Sequence, residues 1–266
     1  MSIADIPAAA LPTHLDLPCT DGKPVENFYQ PPQAALLTAV LTPWLDRRHP
    51  DGNYLIGSDN GVYWEITDPP LDGCRAPDWF YVPGVPKLLD GVLRRSYVLW
   101  QEHVPPTVVV EFVSGSGAEE HDRTPQVGKW WVYEQAVKAE YYVIRDPYQD
   151  GLEVYRRTKG RYRAVPATPS GRFPVEALGV ELGRWEGDYL GNQAVWVRAW
   201  EPGGVMLPLP EEAARAEKRR ADIEKDRANI ERGRADIEKD RADIERGRAD
   251  ALAARLRALG VDPDAP

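Results

Sequence analysis

The sequence contains little cysteine or histidine and no long apolar run. Two cysteines, Cys19 and Cys74, and four histidines occur among 266 residues. Neither cysteine belongs to a CxxC pair, and no cysteine or histidine spacing matches a zinc site. No stretch reaches the roughly 18 apolar residues of a membrane helix, and the first residues lack the pattern of a signal peptide. These absences predict a cytoplasmic protein without a disulfide framework, a structural zinc ion or a membrane partner.

Positive charge is scarce as well, since the chain carries a net charge of -9. Acidic and basic residues nearly balance over 211–266, so the excess acid lies in the first 210 residues. This acidity argues against broad nonspecific binding of duplex DNA, which depends on many phosphate contacts. It still allows an enzyme whose basic residues line one groove, and a metal-binding carboxylate cluster would itself add negative charge.

The sequence does contain enough apolar residues for a substantial core. Apolar residues make up 42% of the chain, which includes nine tryptophans, and the length suits one domain with an appendage. The composition changes at Glu211, where charged residues become dominant. We therefore predict a flexible N-terminus over 1–16, a domain over 17–210, a charged helix over 211–259 and a tail over 260–266.

Local patterns predict the first elements of the domain. Apolar residues at helical spacing predict an amphipathic helix over 33–47. The dipeptide Asn60-Gly61 predicts a hairpin between strands at 54–57 and 62–66.

Later elements are predicted in the same way. Thr124 followed by Pro125 predicts the start of a helix, with the threonine as N-cap. A hairpin is predicted from strands at 152–156 and 162–165, and further short strands over 174–208.

Glu111 stands inside the near-continuous apolar run 107–113, which is typical of a central buried strand. An acid at such a position is costly to bury without a partner. Asp78, which follows Pro77 at a predicted strand start, and Lys129, in a tryptophan-rich helix, would offset that cost if all three shared a divalent metal site. This constellation indicates metal-dependent phosphodiester chemistry.

Structural roles are the alternative for each candidate. Asp78 could be a turn or cap residue, and Lys129 could extend from its helix towards solvent. Glu26 and Gln126 could be plain surface residues. Tyr133, which shares a helix face with Lys129, is better explained by packing with a hydroxyl partner than by catalysis.

Short motifs follow one another in a characteristic order along the domain. They are Asp21–Asn27, Ala76-Pro77-Asp78, Val110–Ser114, Gly128-Lys129 with Tyr133, Tyr141–Pro147 and Leu178–Leu182. In this order and spacing the chain resembles the PD-(D/E)XK nuclease superfamily and, more closely, the bacterial Uma-type restriction endonuclease family. The resemblance covers about residues 17–210, together with the charged C-terminal helix that is common in that family.

The resemblance implies a fold and a metal site. The fold would be α/β and restriction-endonuclease-like, with a mixed central sheet flanked by helices and a long charged C-terminal helix. Asp78 and Glu111 would hold Mg²⁺ or Mn²⁺ through their carboxylate oxygens. The carbonyl of Phe112 would complete the protein ligands.

The resemblance also implies roles for two further side chains. The lysine of the superfamily normally follows the glutamate by two residues, where this chain has Val113. In the Uma-type branch the lysine lies on the following helix, which makes Lys129 the candidate for orienting a water and stabilising developing charge. Glu26 matches an early acidic position and would serve a second metal site or orient a water.

The implied function is metal-dependent hydrolysis of DNA. The rival hypothesis is a nuclease-fold protein that does not cleave and acts as an interaction or nucleic-acid-binding module through its helical tail. The acidic domain and the valine at position 113 favour the rival. The presence of Asp78, Glu111 and Lys129 favours the enzyme.

The C-terminal region repeats with a period of seven. Ile223, Ile230, Ile237 and Ile244 form one thin apolar stripe, and no second apolar position completes the a/d pair of a coiled coil. The pattern predicts one long charged helix. A solvated single helix and a self-associating coiled coil are both compatible with it, and a homo-oligomer could form through this helix or through the nuclease domain.

Overall fold

The computed structural model describes residues 11–20 and 27–259, which form two units. The first unit ends at Pro210 and the second begins at Glu211. The candidate Glu26 lies outside the described residues, as do the predicted tail over 260–266 and most of the predicted flexible N-terminus.

Twelve strands and four α-helices make up the described secondary structure. The strands are β1 Tyr54–Gly57, β2 Val62–Tyr63, β3 Cys74–Arg75, β4 Trp79–Pro83, β5 Tyr97–Val98, β6 Val108–Phe112, β7 Tyr141–Asp146, β8 Gly151–Thr158, β9 Arg161–Ala164, β10 Phe173–Val175, β11 Val180–Tyr189 and β12 Asn192–Trp200. The helices are α1 Gln30–Arg48, α2 Leu99–Glu102, α3 Lys129–Trp131 and α4 Pro210–Ala258. A short 3-10 helix spans Pro70–Gly73, and α3 continues as a π-helical segment over Val132–Val137.

A mixed six-stranded sheet, in the order β1-β4-β6-β7-β8-β9, forms the centre of the domain. Strands β6 and β7 are parallel, and the other neighbours are antiparallel. All five residues of β6 are buried, because β6 has neighbours at both edges and a packed layer on both faces. The prediction of a central buried strand is confirmed, and the fold class is the predicted α/β.

Two apolar cores lie on opposite faces of this sheet. Helix α1 and the three-stranded sheet β10-β11-β12 pack on one face. The α3 segment packs on the other face, together with Val62, Val85 and Tyr97. Because side chains alternate along a strand, Val110 and Phe112 enter the first core while Val109 and Val113 enter the second. Glu111 has the same parity as Val109 and therefore faces the α3 layer.

The hairpin predicted at Asn60-Gly61 is wrong. Strand β1 has the predicted bounds but pairs with β4, whereas β2 pairs with β3 and β5 in a separate sheet. The backbone of Gly61 explains the difference, since its N–H donates to Cys19 and its carbonyl accepts from Tyr97. These long-range bonds direct the chain after Gly61 away from β1.

The helix predicted to begin at Thr124 begins instead at Lys129. The Asp122 carboxylate accepts bonds from the N–H and the hydroxyl of Thr124, at 2.8 and 2.6 Å, which ties the threonine to the residues before it. Gln126 is left-handed, with φ of 66°, which interrupts any helix there. A Cβ on Gly128 would lie 2.2 Å from the Asp122 carbonyl oxygen, so only glycine fits directly before the helix.

Other predicted elements are confirmed. Helix α1 matches the predicted amphipathic helix to within a few residues, and β8 pairs with β9 as the predicted hairpin. Strands β11 and β12 are longer than predicted and pair along their whole length from Tyr189↔Asn192 to Glu181↔Trp200.

Helix α4 is the single long helix that the heptad repeat predicts. It contains 49 residues, which corresponds to about 74 Å at the usual helical rise. The four isoleucines of the stripe are 57–67% exposed. Among the helices in residues 11–20 and 27–259, none has the combination of length and apolar composition that a membrane span requires.

Candidate active site

Glu111 lies on the face of the central sheet that α3 covers, and it is only 2% exposed. Its Oε2 accepts a bond from Lys129 Nζ at 2.9 Å. Its Oε1 accepts a bond from the Tyr133 hydroxyl at 2.5 Å. Lys129 and Tyr133 are four residues apart on one helical turn, which places them on the same face. The buried acid therefore obtains both of its partners from one helix.

Lys129 also contacts a second carboxylate. Its Nζ lies 2.9 Å from Oε1 of Glu120, and the Glu120 side chain is only 4% exposed. The loop that carries Glu120 is tied to the sheet because the Tyr142 hydroxyl donates to the Glu120 carbonyl at 3.0 Å. Lys129 thus lies between two buried acids.

Glu120 was not predicted from the sequence. It stands in the polar stretch Glu119-Glu120-His121-Asp122, where composition alone indicates a solvated loop. No periodic pattern separates Glu120 from its neighbours. Only the fold of the loop over β7 shows that this one side chain is buried.

Asp78 directly precedes β4 and is 8% exposed. Its Oδ2 accepts a bond from the backbone N–H of Phe112 at 2.5 Å, and its carbonyl accepts one from the Ser58 hydroxyl at 2.7 Å. The Asp78 carboxylate therefore lies against the residue that follows Glu111. Its side chain reaches across to β6 and does not cap a turn of its own segment.

The pKa values of Asp78 and Glu111 are both raised. Burial and the charge of Glu111 raise the pKa of Asp78 to about 9, and the Phe112 N–H and the Lys129 charge offset only part of that effect. Burial also raises the pKa of Glu111, although Lys129 and Tyr133 act in the opposite direction. The single ammonium group of Lys129 does not balance the acids around it.

The two donors of the cluster stay protonated near neutral pH. Burial alone would lower the pKa of Lys129, but the charges of Glu111 and Glu120 outweigh it and raise that pKa above its usual range. Burial and the charge of Glu111 raise the pKa of Tyr133 well above that of a free tyrosine. Neither side chain is therefore suited to act as a general base.

The carbonyl of Phe112, the third expected metal ligand, already has one partner. The Gln30 side-chain amide donates to it at 3.1 Å, and Gln30 is itself buried at the start of α1. A carbonyl oxygen has two lone pairs, so one acceptor position remains. The sequence did not indicate Gln30 as part of this region.

The donor set of the cluster suits a magnesium-type ion. In the described parts of the chain, no group of three or more histidine, cysteine, aspartate or glutamate side chains is arranged around a metal position. Asp78 and Glu111 offer two carboxylates beside one backbone carbonyl. Mg²⁺ is commonly held by one or two carboxylates, with waters and substrate phosphates completing its shell. These residues fit such a site and do not fit a closed zinc site.

The structure brings some candidates together and leaves others apart. Lys129 bonds to Glu111, and Asp78 lies against the next residue of β6. Val113, where the superfamily has lysine, is 1% exposed within an apolar core. Gln126 is exposed in the turn before α3, so it does not join Lys129 and Tyr133 at the cluster.

Comparison with known families identifies most of the domain. Residues 22–187 match the family Uma2, described as "Putative restriction endonuclease". The matched range covers more than half of the chain. It contains Asp78, Glu111, Glu120, Lys129 and Tyr133, which together form the acid–lysine cluster. A search of curated proteins found no match.

Proposed function

The chain belongs to the Uma2 restriction endonuclease family, and we propose that it is a nuclease that hydrolyses phosphodiester bonds in DNA with Mg²⁺ or Mn²⁺. One observation carries the proposal. Two buried acids, Glu111 and Glu120, each lie 2.9 Å from Lys129 Nζ. A third, Asp78, bonds to the strand that carries Glu111.

A purely structural role explains this cluster poorly. A buried ion pair is often no more stabilising than apolar side chains of similar volume. Here the acids outnumber the cation, and the pKa of Asp78 is raised to about 9. Strongly perturbed acids in a cluster are characteristic of functional sites, and a divalent cation would remove the imbalance.

Asp78 and Glu111 would hold the metal ion, with the free lone pair of the Phe112 carbonyl as a third contact. A bound Mg²⁺ would lower the pKa of a water ligand and offset charge on the phosphate. Tyr133 would keep the Glu111 carboxylate in one orientation, because its hydroxyl donates to Oε1 while Oε2 faces Lys129.

Lys129 would supply fixed positive charge at the reacting phosphate. Its two carboxylate partners hold the ammonium group in one position, which is the pre-organisation that stabilises developing charge. It would replace the lysine that the superfamily carries two residues after the glutamate, since Val113 points into an apolar core.

A non-cleaving interaction module is the second candidate function. The observation that favours it is the exposed isoleucine stripe of α4, which offers an apolar line for a partner helix. In that case the acid cluster would be a remnant, and the chain would bind partners without hydrolysing DNA.

Cleavage of a supercoiled plasmid in Mg²⁺ or Mn²⁺ tests the proposal. We expect the wild type to nick or linearise the plasmid and Glu111→Gln to be inactive while remaining folded, because glutamine preserves the shape of the side chain. Glu140→Gln is the matched control, since Glu140 pairs with Arg156 away from the cluster. If Glu111→Gln cleaves at the wild-type rate, the proposed site is wrong. If the wild type cleaves with neither Mg²⁺ nor Mn²⁺, the interaction module is favoured.

A further inference from the structure

A cleft of about 350 Å³ lies between the α3 segment and β9. Its walls include three arginines, two tryptophans and one acid: Arg123, Arg161, Arg163, Trp130, Trp131 and Glu134. In a chain with a net charge of -9, this is a local concentration of positive charge.

Two of the arginines are in excess over nearby acid. The buried Glu134 carboxylate lies 3.0 Å from Arg161 Nη1 and also accepts a bond from the Tyr162 N–H at 2.5 Å. Glu134 therefore balances Arg161. Within the described part of the chain, neither Arg123 nor Arg163 forms a salt bridge with a carboxylate. The cleft consequently offers two uncompensated guanidinium groups.

Aromatic rings fix the geometry of this cleft. The guanidinium of Arg123 lies 4.4 Å from the ring centroid of Trp130, which is 3% exposed. A guanidinium stacked on an indole is attracted by the ring and held in place. Trp131 is only half-buried, so part of its ring remains available as a wall of the cleft. Planar apolar walls of this kind support stacking of nucleic acid bases.

A second arginine–tryptophan cleft differs in charge. There Arg172 lies 4.8 Å from the Trp200 ring centroid, in a cleft of about 390 Å³. Arg172 faces Glu181 at 3.7 Å, and Arg184 forms a salt bridge with Asp150. Both of its arginines are thus paired with an acid, whereas only Arg161 among the three arginines of the first cleft is. The two clefts therefore differ in unpaired positive charge, although both contain an arginine stacked on a tryptophan.

The first cleft is built on the same two segments as the acid–lysine cluster. Trp130 follows Lys129 directly, so their Cα atoms are about 3.8 Å apart. Arg123 lies three residues after Glu120, in the loop whose Glu120 carbonyl is bonded to Tyr142 of β7. The cleft and the carboxylates around Lys129 therefore share the loop after β6 and the start of α3.

We infer that the cleft of Arg123, Arg163 and Trp131 binds a single-stranded segment of the nucleic acid substrate, next to the bond that is cut. The arginines would contact phosphates, and Trp131 would stack on a base. A volume of about 350 Å³ is in the range of small-molecule sites, so the cleft takes a nucleotide unit and not a duplex. This inference rests on the proposed function, and it adds the form of substrate that the site prefers.

Binding without cleavage tests the inference. A fluorescently labelled single-stranded oligonucleotide and the matching duplex are titrated with full-length Glu111→Gln protein, and anisotropy is recorded across a salt series. Arg123→Ala combined with Arg163→Ala should weaken single-strand binding about tenfold or more. The same double variant should reduce the salt slope by roughly 1.4, at about 0.7 for each phosphate that an arginine no longer neutralises. Trp131→Ala should weaken single-strand binding about tenfold at unchanged salt slope.

Arg172→Ala is the matched control, because it also removes an arginine stacked on a tryptophan. It should leave binding unchanged. Equal weakening in Arg172→Ala, unchanged binding in the double variant, tighter binding of the duplex, or equal competition by polyglutamate would each overturn the inference. Arginine-dependent binding by a chain that never cleaves would support the cleft and refute the proposed hydrolysis, so the two failures are distinguishable.

Discussion

Lys129 Nζ lies 2.9 Å from Glu111 Oε2, although the two residues are 18 positions apart in the chain. The contact exists because α3 begins at Lys129 and packs on the face of the sheet that Glu111 occupies. Both side chains are largely buried, at 21% and 3% exposure. Glu111 therefore depends on Lys129 for its charge compensation, whereas Lys129 is compensated by both Glu111 and Glu120.

Replacing Lys129 should separate chemistry from metal binding. Lys129→Met keeps most of the side-chain length and removes the ammonium group, so cleavage should fall by about 10²–10³. Binding of Mg²⁺, measured as a shift in melting temperature, should persist because lysine is not a ligand. Stability should drop by about 3–5 kcal/mol, since two buried carboxylates lose their partner. Cleavage at the wild-type rate would exclude Lys129 from the mechanism.

Glu120→Gln should show whether Glu120 positions Lys129 or binds the metal. Glutamine retains an oxygen acceptor for Lys129 Nζ but removes the charge that helps to hold the ammonium group. We expect kcat to fall about tenfold, less than for removal of a group that transfers a proton itself. The Mg²⁺-dependent melting shift should stay as in the wild type. Disappearance of that shift would instead make Glu120 a metal ligand.

The metal-free protein should lose stability as pH rises from about 5 to 8. The pKa of Asp78 is about 9 in the folded chain, against an ordinary value near 3.9. Between these values the unfolded chain has released the proton and the folded chain retains it, so rising pH favours unfolding. Asp78→Asn should flatten the dependence of melting temperature on pH.

Asp72→Asn provides the control for that measurement, because Asp72 is an exposed acid. It should preserve the wild-type pH dependence. If Asp78→Asn retains the full slope, the Asp78 carboxyl is not the group that carries the proton.

Truncation after Pro210 should leave the stability of the first unit nearly unchanged. Helix α4 carries one isoleucine in each heptad, and those isoleucines are exposed, so the helix buries little apolar surface. Melting curves and sedimentation of the full chain and of residues 1–210 provide the comparison. Any change should appear in self-association or partner binding, and a truncated chain that fails to fold would show that the helix belongs to the core.

Several features were predictable because local chemistry decides them. The apolar run around Glu111 required a central buried strand, and an acid there required partners, whatever the rest of the fold. The heptads after Glu211 contain strong helix formers and little apolar surface, so a long helix was the expected result. Lys129 and Tyr133 were expected on one face of a helix because they are four residues apart.

Other features depended on contacts between distant parts of the chain. Asn60-Gly61 has the composition of a hairpin turn, but the backbone of Gly61 bonds to Cys19 and Tyr97, and β2 lies in a separate sheet from β1. Thr124-Pro125 has the composition of a helix start, but Gln126 is left-handed and the Trp130 N–H donates to the Asp122 carbonyl at 3.1 Å. In both places a local preference was weaker than the competing hydrogen bonds of the folded chain.

The sequence by itself determined the long helix and the need of Glu111 for buried partners, because residue type and spacing control propensity and burial. The class of the fold followed from the resemblance of its motifs to a known family. Only the tertiary structure decided which side chains those partners are. Glu120 and Gln30 lie in segments whose composition is ordinary, and both reach the site because the loop after β6 and the start of α1 fold onto the sheet. Burial of a single polar side chain depends on what packs over it, and a sequence pattern does not record that.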